Sequence, residues 1–334
     1  MPNLNLDRIY IVAEMANAHD GRVEDALGIV DAAARAGADA VKFQMFTPDE
    51  IAVPSFSYYD LYIKLQMPDE HWQSIIDRAH GHGLTTICDV FGLDSLQRAD
   101  RLGMDGFKVH NADVSNSPLL AGIGQTGKPV LLSTGGSKPE ETERAIDVLR
   151  TSGAPQIVLM HGFQSYPTKL SDSHLRRIET LRRTFDLPIG FAGHVDGGTE
   201  EAIQLPVWAV AAGADLIETH ITLDRSQEGG DWFSSLDPEP FKRMVDTIRA
   251  AEPALGSRSI EMGEDERAYR NKHKKWLVAT ADIAAGEEFT GANLGLKRVD
   301  DVPAETYSTL DAVLGKHAAR TIEQHEPIQP GDCK

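Results

Sequence analysis

Cysteine is almost absent: Cys88 lies in an apolar stretch and Cys333 stands next to the last residue. A disulfide framework is excluded, a two-cysteine metal site is equally poorly supported, and the usage suits a reducing compartment. Positive charge is short as well, with 33 Lys and Arg against 51 Asp and Glu and a formal net charge of −18. Such a surface repels a phosphate backbone or an anionic membrane, so neither nucleic acid nor a membrane is expected as a partner. No stretch reaches the about 18 uninterrupted apolar residues of a membrane span, and the acidic and amide residues of Met1–Tyr10 make a poor signal core. The expectation is a cytoplasmic protein. What the chain does have is 41% hydrophobic and 25% charged residues over 334 positions, enough for one large core and a second, small one.

Short apolar runs alternate with longer amphipathic segments from Ile9 to about Ala251. The runs predict strands at Ile9–Met15, Ala40–Phe46, Leu84–Val90, Gly106–His110, Pro129–Thr134, Gln156–His161, Pro188–Ala192 and Asp215–His220. Helices are expected between them at Val23–Ala36, Asp69–His82, Asp94–Leu102, Ser117–Gln125, Pro139–Arg150, Ser171–Phe185, Thr199–Ala212 and Pro238–Ala251. Eight such units in sequence predict an α/β fold of the (β/α)8 TIM-barrel type. An open doubly wound sheet is the competitor, but no GxGxxG follows the first strand. The barrel is assigned to residues 1–255, a charged linker to 256–275, and a small C-terminal domain to 276–334 with strand-like pieces at Trp276–Thr280 and Ala318–Ile322. Pro48–Met67, with Tyr58, Tyr59 and Tyr62, is long for a βα connection and is expected to shape a pocket as a lid.

Chemistry in such a barrel sits where the strands end. Polar residues there are Glu14, Asn17 and His19 after strand one, Lys42 and Gln44 on strand two, Asp89 on strand three, and Lys108, His110, Asn111 and Asp113 on strand four. Later strands add Ser133 and Thr134, His161 with Gln164 and Tyr166, His194, and Glu218 with His220. Alternation puts Lys42 and Gln44 on one face, and Glu218 and His220 on one face. A single polar strand end is as often a loop anchor or a helix cap. Two lysines, two glutamates and three histidines (His161, His194 and His220) aimed at one mouth are costly to desolvate without a purpose, and point to a site for anionic and metal-coordinating groups. His194 and His220, ending adjacent strands, form a plausible two-histidine metal seat, although no HExxH fixes their geometry. His80, His82 and the arginines Arg176, Arg177, Arg182 and Arg183 read as solvated helix faces.

Glu14–Gly21 (EMANAHDG), Lys42-Phe43-Gln44, Phe107-Lys108, Leu132–Gly135 (LSTG), His161 with Tyr166-Pro167, His194, and Ile217–Arg225 (IETHITLDR) together resemble the sialic acid synthase family. Ser235-Leu236 and Met244-Val245 continue the resemblance. Asp282–Gly286 (DIAAG), Phe289-Thr290, Asn293-Leu294 and Leu314-Gly315-Lys316 are similar to the antifreeze-like (SAF) domain. The resemblance implies a metal-dependent condensation of phosphoenolpyruvate with the open-chain aldehyde of an N-acylated hexosamine, giving a nonulosonic acid and phosphate. It implies that His194 and His220 hold a divalent metal, manganese first with magnesium or cobalt as alternatives. Glu14 would act as acid or base, Lys42 and Lys108 would meet the donor's carboxylate and phosphate, and Glu218 would contact the sugar. Gln44, Gln164, Tyr166 and Asp231 would orient the substrates. A domain-swapped homodimer is implied too, the small domain of one chain covering the barrel of the other and supplying an arginine, for which Arg298 is the nearest candidate.

Several positions depart from the family pattern. Its Ser-Thr-Pro-Phe turn is Cys88-Asp89-Val90-Phe91 here, the serine after the strand-four lysine is Asn111, and the Ser-Asp-His of strand seven is Ala192-Gly193-His194. Asp231-Trp232 stands for an Asp-His pair, and Arg298-Val299-Asp300-Asp301 for Arg-Pro-Gly. Two enzymes fit these changes. In one, phosphoenolpyruvate is held by Lys42, Lys108, Asn111 and Ser133, while Trp232 and the Tyr58–Tyr62 insertion select the acceptor. In the other, Asp89 meets a cationic group or a metal and the donor is unphosphorylated, such as pyruvate. A non-catalytic sugar-binding homologue is a third reading, disfavoured because Glu14, both lysines and both histidines are kept.

Overall fold

The computed structural model describes residues 3–163, 165–257, 259–300, 302–303 and 305–334. Two compact units result, Met1–Gly256 and Ser257–Lys334. In the first, strands β1 (Tyr10–Ala16), β2 (Ala40–Met45), β3 (Thr85–Val90), β4 (Gly106–Val109), β5 (Val130–Ser133), β6 (Ile157–His161), β7 (Ile189–Ala192) and β8 (Leu216–His220) close into a parallel barrel. The (β/α)8 fold expected from the alternation is present. β1 pairs with β8 to seal the ring, Glu14 lying in register with His220.

The period of two along each strand separates the two jobs of the barrel. Outward residues such as Ile11, Ala13, Val41, Phe43, Phe107 and Val109 pack under the helices as one core. Inward residues begin apolar: Val12, Ala40, Ile87, Leu131, Val158 and Leu216 fill the lower lumen together with Leu4. Two residues further along β1, β2, β3, β5 and β8 the inward positions turn polar, giving Glu14, Lys42, Asp89, Ser133 and Glu218. At Gly190 on β7 a Cβ would lie 2.4 Å from Met160 Sδ, so glycine there leaves room for the methionine side chain of the neighbouring strand.

Most helices fall as expected, Val23–Ala36 and Ser117–Gln125 to the residue. The helix expected over Ser171–Phe185 is instead a 3-10 turn at Leu170–Asp172 and a helix at Arg176–Phe185, broken at His174, whose φ of 43° is left-handed. The Pro48–Met67 insertion carries two short helices, Pro48–Ile51 and Tyr59–Lys64. Arg182 is not on a solvated face: its guanidinium donates to Gly213 O and Asp215 Oδ2, both at 2.6 Å.

In the second unit, the stretch expected as linker contains a helix, Glu264–His273. Strand β9 (Trp276–Ala279) pairs antiparallel with β10 (Leu294–Lys297) over a small core of Leu277, Ile283, Phe289, Val313, Ile322 and Ile328. Ala318–Ile322, expected as a strand, makes only isolated bridges, Ala318 to Cys333 and Ile322 to Ile283. Among the described residues no helix is long and apolar enough to cross a membrane.

Candidate active site

The polar upper lumen opens into a cavity of about 530 Å³ at the C-terminal ends of the strands. β1 reaches it through an irregularity: the register with β2 slips between Glu14 and Ala16, and Ala16 takes a left-handed φ of 44°. The slip lets the Ala16 amide donate to Glu14 Oε1 at 2.6 Å, which fixes the carboxyl group. A bulge that aims a side chain into a site is a usual role for such irregularities.

Lys42, 1% exposed, is the electrostatic centre. Its ammonium pairs with Glu14, lies 2.6 Å from Asp89 Oδ2, and 3.7 Å from Glu218 Oε1. Lys108 closes the array with 2.6 Å to the same Glu218 oxygen. Burying so many charges costs several kcal/mol per ion, roughly repaid only when each is paired, so the array points to function rather than stability. Burial disfavours a charged Lys42, but Asp89, Glu14 and Glu218 outweigh it and hold the ammonium well above the usual lysine range. Glu14 is raised by burial, and by Glu218 and Asp89 against the pull of Lys42, to about 8, so near neutrality it carries its proton. Burial also acts upward on Glu218, yet Lys108 and Lys42 bring it down to about 2. Two neighbouring carboxyl groups thereby take opposite protonation states, as an acid and an anion.

On the other side of the cavity His194 and His220 stand with ring centroids 5.2 Å apart. Burial, then the neighbouring His220, holds His194 well below the ordinary histidine range, and burial brings His220 to about 3, so both rings are neutral. His194 Nδ1 is buried with no hydrogen-bond partner. Two neutral imidazoles with an unused buried nitrogen fit a divalent cation. Among the described residues no group of three or more His, Cys, Asp or Glu side chains is placed to hold a metal ion.

Gln44, Asn111, Ser133, Tyr166 and Asp231 also line the cavity. Tyr166 stands edge-on to His194 with centroids 4.9 Å apart, its hydroxyl pushed up by burial to about 12. Asp231 has a left-handed φ of 57° and accepts from the Asn17 amide at 3.2 Å. Its approach depends on Gly230, where a Cβ would lie 2.4 Å from Asn17 O. Gln164 lies outside the described residues, and Arg298 belongs to the second unit, where its Nε donates to His273 O at 3.2 Å.

Three expectations change. His161 does not face the cavity: its ring bonds the Ser173 carbonyl at 2.8 Å, and the third histidine at the mouth is His110. Trp232 is turned to Arg225, 5.7 Å from its ring, and does not line the cavity. The cationic partner of Asp89 is the chain's own Lys42. Sequence reasoning passed over Phe46, Ile51 and Phe91, which with Tyr62 wall one side of the mouth. Phe46 meets Tyr62 and Phe91 edge-on at 5.6 and 5.8 Å. For Phe46 and Phe91 the signal was an aromatic residue two positions beyond the inward Gln44 and Asp89. Glu50, also missed, accepts from the Asp94 and Ser95 amides at 2.9 and 3.1 Å and so ties the insertion to the helix after β3.

Comparison with known proteins adds a family. The NeuB family model matches residues 29–259, and the SAF domain model residues 274–333. Pseudaminic acid synthase of Campylobacter jejuni is 30% identical over 349 residues, covering 99% of this chain and 99% of that protein. N,N'-diacetyllegionaminic acid synthase of the same species is 30% identical, covering 97% and 100%. The crystal structure of the sialic acid synthetase of Leptospira borgpetersenii in complex with citrate superimposes with a TM-score of 0.75 at 28% identity, over 80% of this chain and 93% of that one.

Proposed function

We propose that this chain, which belongs to the NeuB family and ends in a SAF domain, condenses phosphoenolpyruvate with the open-chain aldehyde of an N-acylated hexosamine to give a nonulosonic acid and phosphate. The synthase relatives support a carbon–carbon bond-forming enzyme. The observation that carries the substrate reading is that two buried ammonium groups, a protonated glutamate and two neutral histidines open onto one cavity. Lys42 and Lys108 receive the donor's two anionic groups, with Asn111 and Ser133 as hydrogen-bonding partners. The donor's methylene carbon bonds to the aldehyde carbon, and the aldehyde oxygen takes up a proton, which Glu14 is placed to give. Water adds to the donor's second carbon, and phosphate leaves with its bridging oxygen as the keto group forms. Glu218, kept ionised by the lysines, accepts from sugar hydroxyls, and Gln44, Tyr166 and Asp231 orient the acceptor. A divalent metal, manganese or alternatively magnesium or cobalt, held by His194 and His220, would supply polarisation of the aldehyde carbonyl. The apolar exposed run Val53, Phe56, Tyr58, Leu61 and Ile63 beside the mouth supports cover by a second copy, whose Arg298 would reach the sugar.

One observation favours a second reading. Six carboxyl groups line the cavity (Glu14, Glu50, Asp89, Asp113, Glu218 and Asp231) against two lysines, a balance that suits an unphosphorylated donor such as pyruvate. Incubation with manganese, a panel of N-acylhexosamines and either phosphoenolpyruvate or pyruvate as donor separates the two. Phosphate released only in the presence of an acceptor, with a nine-carbon keto acid of matching mass, is the expected result. The same acid formed from pyruvate without phosphate release overturns the first reading.

A further inference from the structure

Among the described residues Lys42 and Lys108 are the two cationic side chains that line the cavity, so an anionic donor has to engage them. Neither stands alone. Lys42 Nζ is 2.6 Å from Asp89 Oδ2, so any anionic oxygen that reaches this ammonium meets the aspartate too. Asp89 is 1% exposed, and its second oxygen, Oδ1, is buried with no hydrogen-bond partner. A buried acceptor of this kind calls for a donor from the ligand. Two anionic oxygens share a dry site readily only when a proton lies between them.

The donor named above has one group able to supply that proton. Its carboxylate is ionised throughout the physiological range, whereas a phosphoryl monoester loses its second proton near pH 6, at about the middle of the range of interest. Resting on the phosphoenolpyruvate reading, we propose that the donor's phosphoryl group binds at Lys42 as the monoanion, donating its remaining proton to Asp89 Oδ1. Asp89 is then the specificity-determining residue that turns the carboxylate away from Lys42 and selects the protonation state in which the donor binds. In the acidic cavity described above this is a way to hold a phosphorylated donor with one negative charge fewer.

The groups that face Asp89 are known from every neighbouring element. Lys42 comes from β2, and Lys108 lies directly across in register on β4. His110 and Asp113 follow β4, Glu14 comes from β1, His220 from β8 and Tyr166 from the loop after β6. Glu218, from β8, shares Lys42 with it. Burial keeps His110 below the ordinary histidine range, hence neutral, and Lys42 stays charged. Glu14, raised by burial to about 8, is the group whose titration must be separated from that of the ligand.

Phosphorus NMR of phosphoenolpyruvate bound to the full-length protein reads the phosphoryl charge itself, with magnesium present, the acceptor omitted and pH taken from about 5 to 9. The bound resonance should keep the monoanion's position to about one pH unit or more above the transition of the free donor. Asp89→Asn should return the transition to the free value or lower and tighten binding at pH 8 roughly tenfold. Asp89→Thr should do the same, which guards against a defect peculiar to one variant, and Glu14→Gln should leave the bound transition in place. Donor bound as the dianion to the wild type at neutral pH, or a transition in both Asp89 variants that stays where the wild type has it, overturns this proposal alone. A wild-type protein that leaves the free resonance unchanged at every pH overturns the phosphoenolpyruvate reading with it.

Discussion

Lys108 Nζ lies 2.6 Å from Glu218 Oε1, joining β4 to β8 across the barrel between residues 110 positions apart. The same oxygen is 3.7 Å from Lys42, so one carboxylate answers two buried ammonium groups. Removing one member of such an array leaves the others buried and uncompensated, which typically costs about 3–5 kcal/mol. Glu218→Gln should therefore lower the unfolding free energy of the barrel, read from urea denaturation, by an amount of that order, and a variant within about 0.5 kcal/mol of the wild type would mean that water screens the pair.

Glu14 gives a pH signature with a definite sign. Its folded pKa, about 8, lies above the ordinary carboxyl value of 4.5, so the folded state holds the proton more tightly than the unfolded one. Its contribution to stability is complete below the unfolded value and is lost as pH rises towards the folded one. Between about pH 5 and 8 the wild type should lose stability relative to Glu14→Gln by on the order of 1 kcal/mol per pH unit. Chemical denaturation of both proteins across that range checks it, and parallel curves would assign Glu14 an ordinary pKa.

The histidine pair is tested by metal content rather than by rate alone. His220→Ala should abolish turnover and, after dialysis, retain less manganese than the wild type by elemental analysis. Full metal content in that variant would remove the two-histidine seat.

Arg298 makes a prediction about assembly. Neither His220→Ala nor Arg298→Ala should turn over alone, but a mixture after mild unfolding and refolding should recover roughly a quarter of wild-type activity if each site combines one barrel with the small domain of the other chain. A mixture as inactive as its components would confine each site to a single chain.

The barrel was legible because its strands are written twice, once as apolar runs and once as a period of two that changes from apolar to polar at the mouth. Lys42 with Gln44, and Glu218 with His220, follow from that period alone. His161 did not, because it is the last residue of β6 and an outward one, next to inward Met160. Trp232 and Arg225 meet through a loop that no periodicity describes. The pairing of Asp89 with Lys42 lay beyond sequence reading for another reason: which of several buried carboxylates meets which ammonium depends on side-chain reach across the lumen. The helix at Glu264–His273 was hidden by its lack of an apolar face, since it has no buried residue.

The central claim is that a new carbon–carbon bond forms between a phosphoenolpyruvate methylene and an N-acylhexosamine aldehyde in this cavity. Donor isotopically labelled at its methylene carbon, followed by carbon NMR with acceptor and manganese, tests it directly. The account predicts that the vinylic signal gives way to a saturated methylene coupled to the sugar chain, one phosphate being released for each bond made. Label that remains in the donor or appears as pyruvate, while the acceptor stays unchanged, contradicts it.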